Sequence, residues 1–147
     1  MRAIALLALL AGCGGEPENR AANQAENGVR AQSMSPPAAD LELSRAAAAA
    51  LGLYYEHLGR RAWRSAFAMR QPEPGLTLER FVANYQRYED YRATVGVPSL
   101  PARRDGDIWV QVPVQLYGRM RGGRPFGSVG AVTLKRAAGD NRWLILS

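Results

Sequence analysis

From Asp40 onward the apolar positions recur with a helical period. Within LELSRAAAAALGLYYEHLGR, Leu51, Tyr54, Tyr55 and Leu58 fall at i, i+3, i+4 and i+7, which sets them on one face of a helix. The alanine run favours that helix, Asp40 is placed to cap its start, and Gly59 is a candidate end. RRAWRSAFAMR continues as a second helix with Trp63, Ala66 and Phe67 on one side and Arg60, Arg61 and Arg64 elsewhere. QPEPG stops it, because two prolines and a glycine cannot extend the ladder. Thr77 can cap a third helix with Glu79 in its first turn, where a negative charge suits the dipole; Phe81, Tyr85 and Tyr88 share a face of it.

After Tyr91 the period falls to two. YRATVGV reads as a strand and PSLPARRDG as a loop. In DIWVQVPVQLYG, Ile108, Val110, Val112, Val114 and Leu116 point one way, and Trp109, Gln111, Pro113, Gln115 and Tyr117 the other. RMRGGRP forms a hairpin turn on Gly122-Gly123, FGSVGAVTLKR returns as the partner strand, and WLILS is a last strand. The hairpin strands exceed the usual five or six residues. Pro113, Gly127 and Gly130 lie inside them and mark bends or bulges. The expected fold class is α+β, with N-terminal helices packed on a curved antiparallel sheet.

That element order, with YYEHLGRRAWRSAFAM, then LERFVANYQRYEDY, then WVQVPVQLYGRM, GAVTLKR and WLI, resembles the nuclear transport factor two-like superfamily, cone-shaped and cystatin-like. The resemblance spans about three quarters of the chain and implies a cone between helices and sheet in which family ligands bind. It implies no single activity, because the scaffold hosts isomerases, dehydratases, ligand carriers and interaction modules.

The residues before Asp40 follow other rules. Arg2 is followed by an unbroken apolar run, Ala3 to Leu10, far short of the ~20 residues that span a bilayer. A positive start, a short apolar core and small residues before a cleavage point make a secretory signal. Leu10-Ala11-Gly12-Cys13 resembles a bacterial lipobox, and Cys13 is the chain's single cysteine. The resemblance implies cleavage before Cys13 and attachment of acyl chains, palmitate among them, to its sulfur and new amine. Two chains suffice for stable anchoring where one does not. Gly14, in the place where Asp commonly signals inner-membrane retention, implies the periplasmic face of the outer membrane. Gly14 to Ala39 has no hydrophobic period and reads as a disordered tether, spanning roughly 25–30 Å as a flexible coil. The expected organisation is therefore a signal at 1–12, a lipidated cysteine and linker at 13–39, and one α+β domain at 40–147.

Net charge is +6, and 18 of the 19 basic residues are arginine. An exported domain does not normally meet nucleic acid, so that partner is set aside; attraction to anionic headgroups remains open, against a compositional bias toward Arg and Ala. With one cysteine, no disulfide can form within the chain.

Candidate chemistry is sparse. Tyr54, Tyr55, Trp63, Phe67, Phe81 and Tyr85 form an aromatic lining on the helices; of these, Tyr55, Trp63, Phe67 and Tyr85 would line a small apolar ligand if the cone is hollow, and filled, the same rings are plain core. The hairpin strands carry no carboxylate from Ile108 to Leu116 or from Phe126 to Leu134, so the base that a ketosteroid isomerase-like site requires is missing there. The single histidine, His57, sits beside Glu56 off the apolar stripe; together they are the alternative acid–base pair of an isomerase or dehydratase. No cysteine–histidine spacing suggests a metal, and no cofactor is implied. Trp109 and Tyr117, with amides between them, offer the sheet's outer face to a second copy or an envelope protein. A non-catalytic binding or adaptor domain, held at a membrane, is the expected function; a purely structural envelope component is a further alternative.

Overall fold

The computed structural model describes residues 35–146. The signal at 1–12, Cys13 and the linker as far as residue 34 lie outside them. Three helices come first: α1 (Ala38–Gly59), α2 (Trp63–Ala68) and α3 (Leu78–Gln86). Strands follow: β1 (Tyr88–Val95), β2 (Ala102–Arg104), β3 (Asp107–Met120), β4 (Pro125–Arg136) and β5 (Leu144–Ile145). The antiparallel sheet runs β1-β3-β4-β5, with β2 pairing the start of β3. It curves into a half-barrel that receives the helices, a cone-shaped α+β fold.

The apolar stripe read from the sequence is the packing face of α1. Leu51, Tyr54, Tyr55 and Leu58 are buried with Ala47, against Val110, Val112 and Val114 of β3 and Leu134 of β4. Burial alternates along β3 as its period-two pattern requires, with Gln111, Pro113, Gln115 and Tyr117 facing outward. The helix begins at Ala38, however, with Pro37 in the capping position. Asp40 lies in its first turn instead, where it pairs with Arg103 of β2 at 2.6 Å. Beside it the buried Ser44 hydroxyl lies 2.8 Å from the Ser99 carbonyl, fastening α1 to the segment before β2.

α1 ends at Gly59 as expected, but Gly59 is not its turning residue. The left-handed position falls to Arg61 (φ 60°), whose N–H donates to the Leu58 carbonyl while that of Ala62 donates to His57. This is the double bond of a Schellman motif, made with arginine where glycine is usual. Gly59 serves close approach: a Cβ there would stand 3.3 Å from the Tyr91 carbonyl of β1.

Thr77 caps α3 as expected, accepting from the Arg80 N–H at 3.3 Å. Tyr88 does not share that helix; α3 ends at Gln86 and Tyr88 opens β1. The loop expected between β1 and β3 contains the short strand β2. Gly122 and Gly123 (φ 92° and 84°) make the β3–β4 turn. Pairing between β3 and β4 runs without a register shift from Ile108 to Arg119, so Pro113, Gly127 and Gly130 mark no bulge. The irregularity lies in β1, between Tyr88 and Asp90. Opposite it, Gly118 (φ 151°) accepts no side chain, because a Cβ would collide with the Asp90 carbonyl. The missing side chain also lets Tyr91 and Phe126, its neighbours on either strand, stack over it at 5.6 Å.

Candidate functional site

The four rings expected to line a ligand come together in one aromatic layer between helices and sheet. Trp63 stacks on Tyr85 at 6.2 Å, Tyr85 meets Phe81 at 5.0 Å, and Phe81 meets Phe67 edge-on at 5.5 Å. Tyr55 joins through Tyr91, which lies 5.3 Å from Tyr85 and 6.3 Å from Tyr55. Phe81, part of the expected aromatic lining and 2% exposed, links Phe67 to Tyr85, and Tyr85, which meets Trp63, Phe81, Tyr88 and Tyr91, is the hub. Offset and edge-on rings at such distances stabilise one another beyond their burial.

The two ends of the layer differ. Beside Trp63, Tyr85, Tyr88 and Tyr91 the free space is about 10 Å³, one water's worth. Arg61 closes that end, donating to the Tyr88 and Glu89 carbonyls at 3.4 and 3.2 Å. Beside Phe67 a cleft of about 350 Å³ opens under the α2–α3 connection. Phe67, Pro72 and Leu76 form its apolar wall, and Arg70, Gln71 and Glu73 its polar side.

Arg70 is the residue that sequence reasoning missed. It stood in a run with Arg60, Arg61 and Arg64 that reads as a solvated face, and Arg60 does pair with Glu56 at the surface, at 2.7 Å. The chain turns after α2, however. Met69 and Gln71 exchange backbone hydrogen bonds with Ile145, and the Arg70 side chain goes inward with 15% of its area exposed. Its guanidinium reaches the neighbourhood of the Tyr54 hydroxyl, which lies 3.1 Å from that of Tyr85. Among the described residues its ion pair is a 3.3 Å contact from Nη2 to Glu73. Among the described residues, Arg70 Nε and Gln71 Oε1 are buried without a hydrogen-bond partner. Unsatisfied groups of this kind cost about 1–3 kcal/mol each, more where a charge is involved.

Burial pushes the phenols of the layer up. Tyr54 and Tyr91 are raised by loss of water and then by the neighbouring Tyr85; Arg70 draws Tyr54 partly back. Tyr55, raised for the same two reasons, reaches about 12. All are neutral hydrogen-bonding groups at ordinary pH.

Trp109 and Tyr117 sit at opposite ends of β3, roughly 27 Å apart at strand spacing, and form no common patch. Trp109 is half-buried at the β2 end with Lys135 over its ring at 5.5 Å. Tyr117 is 40% exposed. Between them a shallow depression of about 310 Å³ is bordered by Gly96, Pro113 and Val129. Val129 is 80% exposed, and Val97, beside Gly96, is 86% exposed. Among the described residues no group of three His, Cys, Asp or Glu is arranged to hold a metal ion. None of the described helices is long and apolar enough to cross a membrane.

No protein-family model matches the chain, and no curated protein matches its sequence. Among solved structures it is similar to the Kfla4162 protein from Kribbella flavida. The TM-score is 0.53 at 11% identity, over 72% of this chain and 88% of that one. Likeness at that identity speaks to the fold alone: helices on a curved antiparallel sheet, forming a cone.

Proposed function

We propose that this chain is a lipoprotein, anchored through Cys13 to the periplasmic face of the outer membrane, whose nuclear transport factor two-like domain binds a small ligand without converting it. The supporting observation is the cleft beside Phe67: about 350 Å³, apolar on one side, with a buried, under-partnered guanidinium on the other. That combination of shaped apolar wall and a few convergent polar groups is what small-molecule sites offer. Of the four rings expected to line a ligand, Phe67 alone borders this cleft; Trp63 and Tyr85 border the closed end and Tyr55 neither space, so Phe67 is the ring that meets the ligand. A native mass spectrum of the full chain purified from its membrane, compared with a denatured one, tests the reading. A small mass lost on denaturation supports it; a bare chain sinks it. The anchor has a separate test: Cys13→Ser abolishes acylation and membrane retention, and a variant still acylated contradicts it.

A second reading, an adaptor working through the sheet's outer face, rests on the exposed Val97, Val129 and Tyr117 around the Pro113 depression. Val129→Asp weakens capture of an envelope partner if that face is the contact, and leaves a small bound mass untouched.

A further inference from the structure

Resting on the ligand-binding reading above, we infer that the cleft takes an amphipathic monocarboxylate, its carboxylate on Arg70 and its short apolar tail along Phe67 and Leu76. The volume, about 350 Å³, lies at the small end of the range for ligand sites. The wall on the Phe67 side is apolar and suits a hydrocarbon tail, not a sugar or nucleotide. At the polar end the cation is a guanidinium, whose planar fork matches a carboxylate in two parallel hydrogen bonds.

Among the described residues that fork meets one carboxylate, and the Tyr54 hydroxyl lies beside it. Glu73 touches it with one oxygen, Nη2 to Oε1, at 3.3 Å, long for a charge-assisted bond. Glu73 sits on the connection between α2 and α3, and its side chain is 41% exposed, free to swing into water. It thus stands where a ligand carboxylate would sit, as an internal and displaceable substitute. The chain's own choice of a carboxylate for that position names the ligand's head group. Beside the guanidinium lies the buried, neutral hydroxyl of Tyr54, itself 3.1 Å from that of the half-buried Tyr85, and it leaves the positive charge uncancelled.

The experiment uses the full lipidated chain in phosphatidylcholine nanodiscs, titrated with hexanoate and, separately, with 1-hexanol, and read by ligand-observed NMR. The two probes share a tail and differ in head group. Hexanoate binds about ten- to a hundredfold tighter than hexanol, the fold-change that one charge-assisted contact provides. Arg70→Met erases that preference, Arg70→Lys restores only part of it, and Glu73→Gln tightens hexanoate by about two- to fivefold, the effect of one removed exposed competitor. Unchanged urea midpoints in these variants show that the fold persists. Equal affinity for both probes, lost in Leu76→Trp, overturns the carboxylate assignment while keeping the cleft as an apolar site. Binding of both probes that Leu76→Trp leaves unaffected overturns the cleft reading along with it.

Discussion

Two arginines stand at the two ends of one aromatic layer, and their surroundings are opposite. Arg61 is exposed, takes a left-handed backbone that its side chain disfavours, and spends its guanidinium on two backbone carbonyls of β1. The space it covers has shrunk to about 10 Å³. Arg70 is mostly buried, has one long ion pair and a buried Nε without a partner among the described residues, and borders about 350 Å³ of cleft. Arg61 therefore closes structure. Arg70 costs structure, and a costly buried cation beside a cavity is more economically explained by what enters the cavity.

The largest effect comes from removing the ring that joins the two ends. Phe81→Ala removes the link between Phe67 and Tyr85 and lowers unfolding stability by about 3–5 kcal/mol, read from urea midpoints. A loss below ~1 kcal/mol means that the layer is loosely packed and the contrast between its ends has no rigid frame.

Alkaline titration comes next. Tyr54, Tyr55 and Tyr91 hold their protons more tightly folded than unfolded. Above their ordinary value of about 10 the unfolded chain loses those protons first, so it binds fewer than the folded one and stability falls as pH rises. The contribution is whole below that value, and the Tyr55 share of it disappears on passing about 12. Urea midpoints that fall from about pH 10 upward check this, and a flat profile contradicts it.

Exchanging each arginine for methionine sharpens the comparison itself. Arg61→Met loses two hydrogen bonds and about 0.5–1 kcal/mol of stability. Arg70→Met removes a buried charge for an apolar chain of similar length, and the domain stays as stable or gains slightly. If Arg70→Met proves the more damaging of the two, Arg70 is structural and the distinction fails. The smallest effect is local: Thr77→Ala removes the cap of α3 for about 1 kcal/mol, with no change at the cleft.

Much of this frame was legible in the sequence. The Leu51–Leu58 stripe, the alternation from Ile108 to Leu116 and the Gly122-Gly123 turn each depend on local period or backbone freedom, which the chain carries on its face. What was not legible depends on contacts between distant segments. Gly118 is glycine because β1 bulges against it, and Gly59 because β1 passes close to it; neither partner is near in sequence. Arg70 looked like its neighbours Arg60 and Arg64, since nothing local shows that the residues around it bond to Ile145, at the far end of the chain. The rings were recognised as a set, but which end of the layer stays open is a property of packing. The pair Trp109 and Tyr117 shares a strand face without sharing a surface, because seven residues of strand lie between them.

The most direct test maps where a ligand touches. Hexanoate is added to the full chain in nanodiscs, and the nitrogen–proton NMR shifts of backbone amides and arginine side chains are followed. The account predicts shifts at Arg70, Gln71 and Glu73, including the Arg70 Nε–H, with Tyr88, Glu89 and the Arg61 side chain unmoved. Shifts gathered around Arg61 and Tyr88, with Arg70 silent, would contradict it.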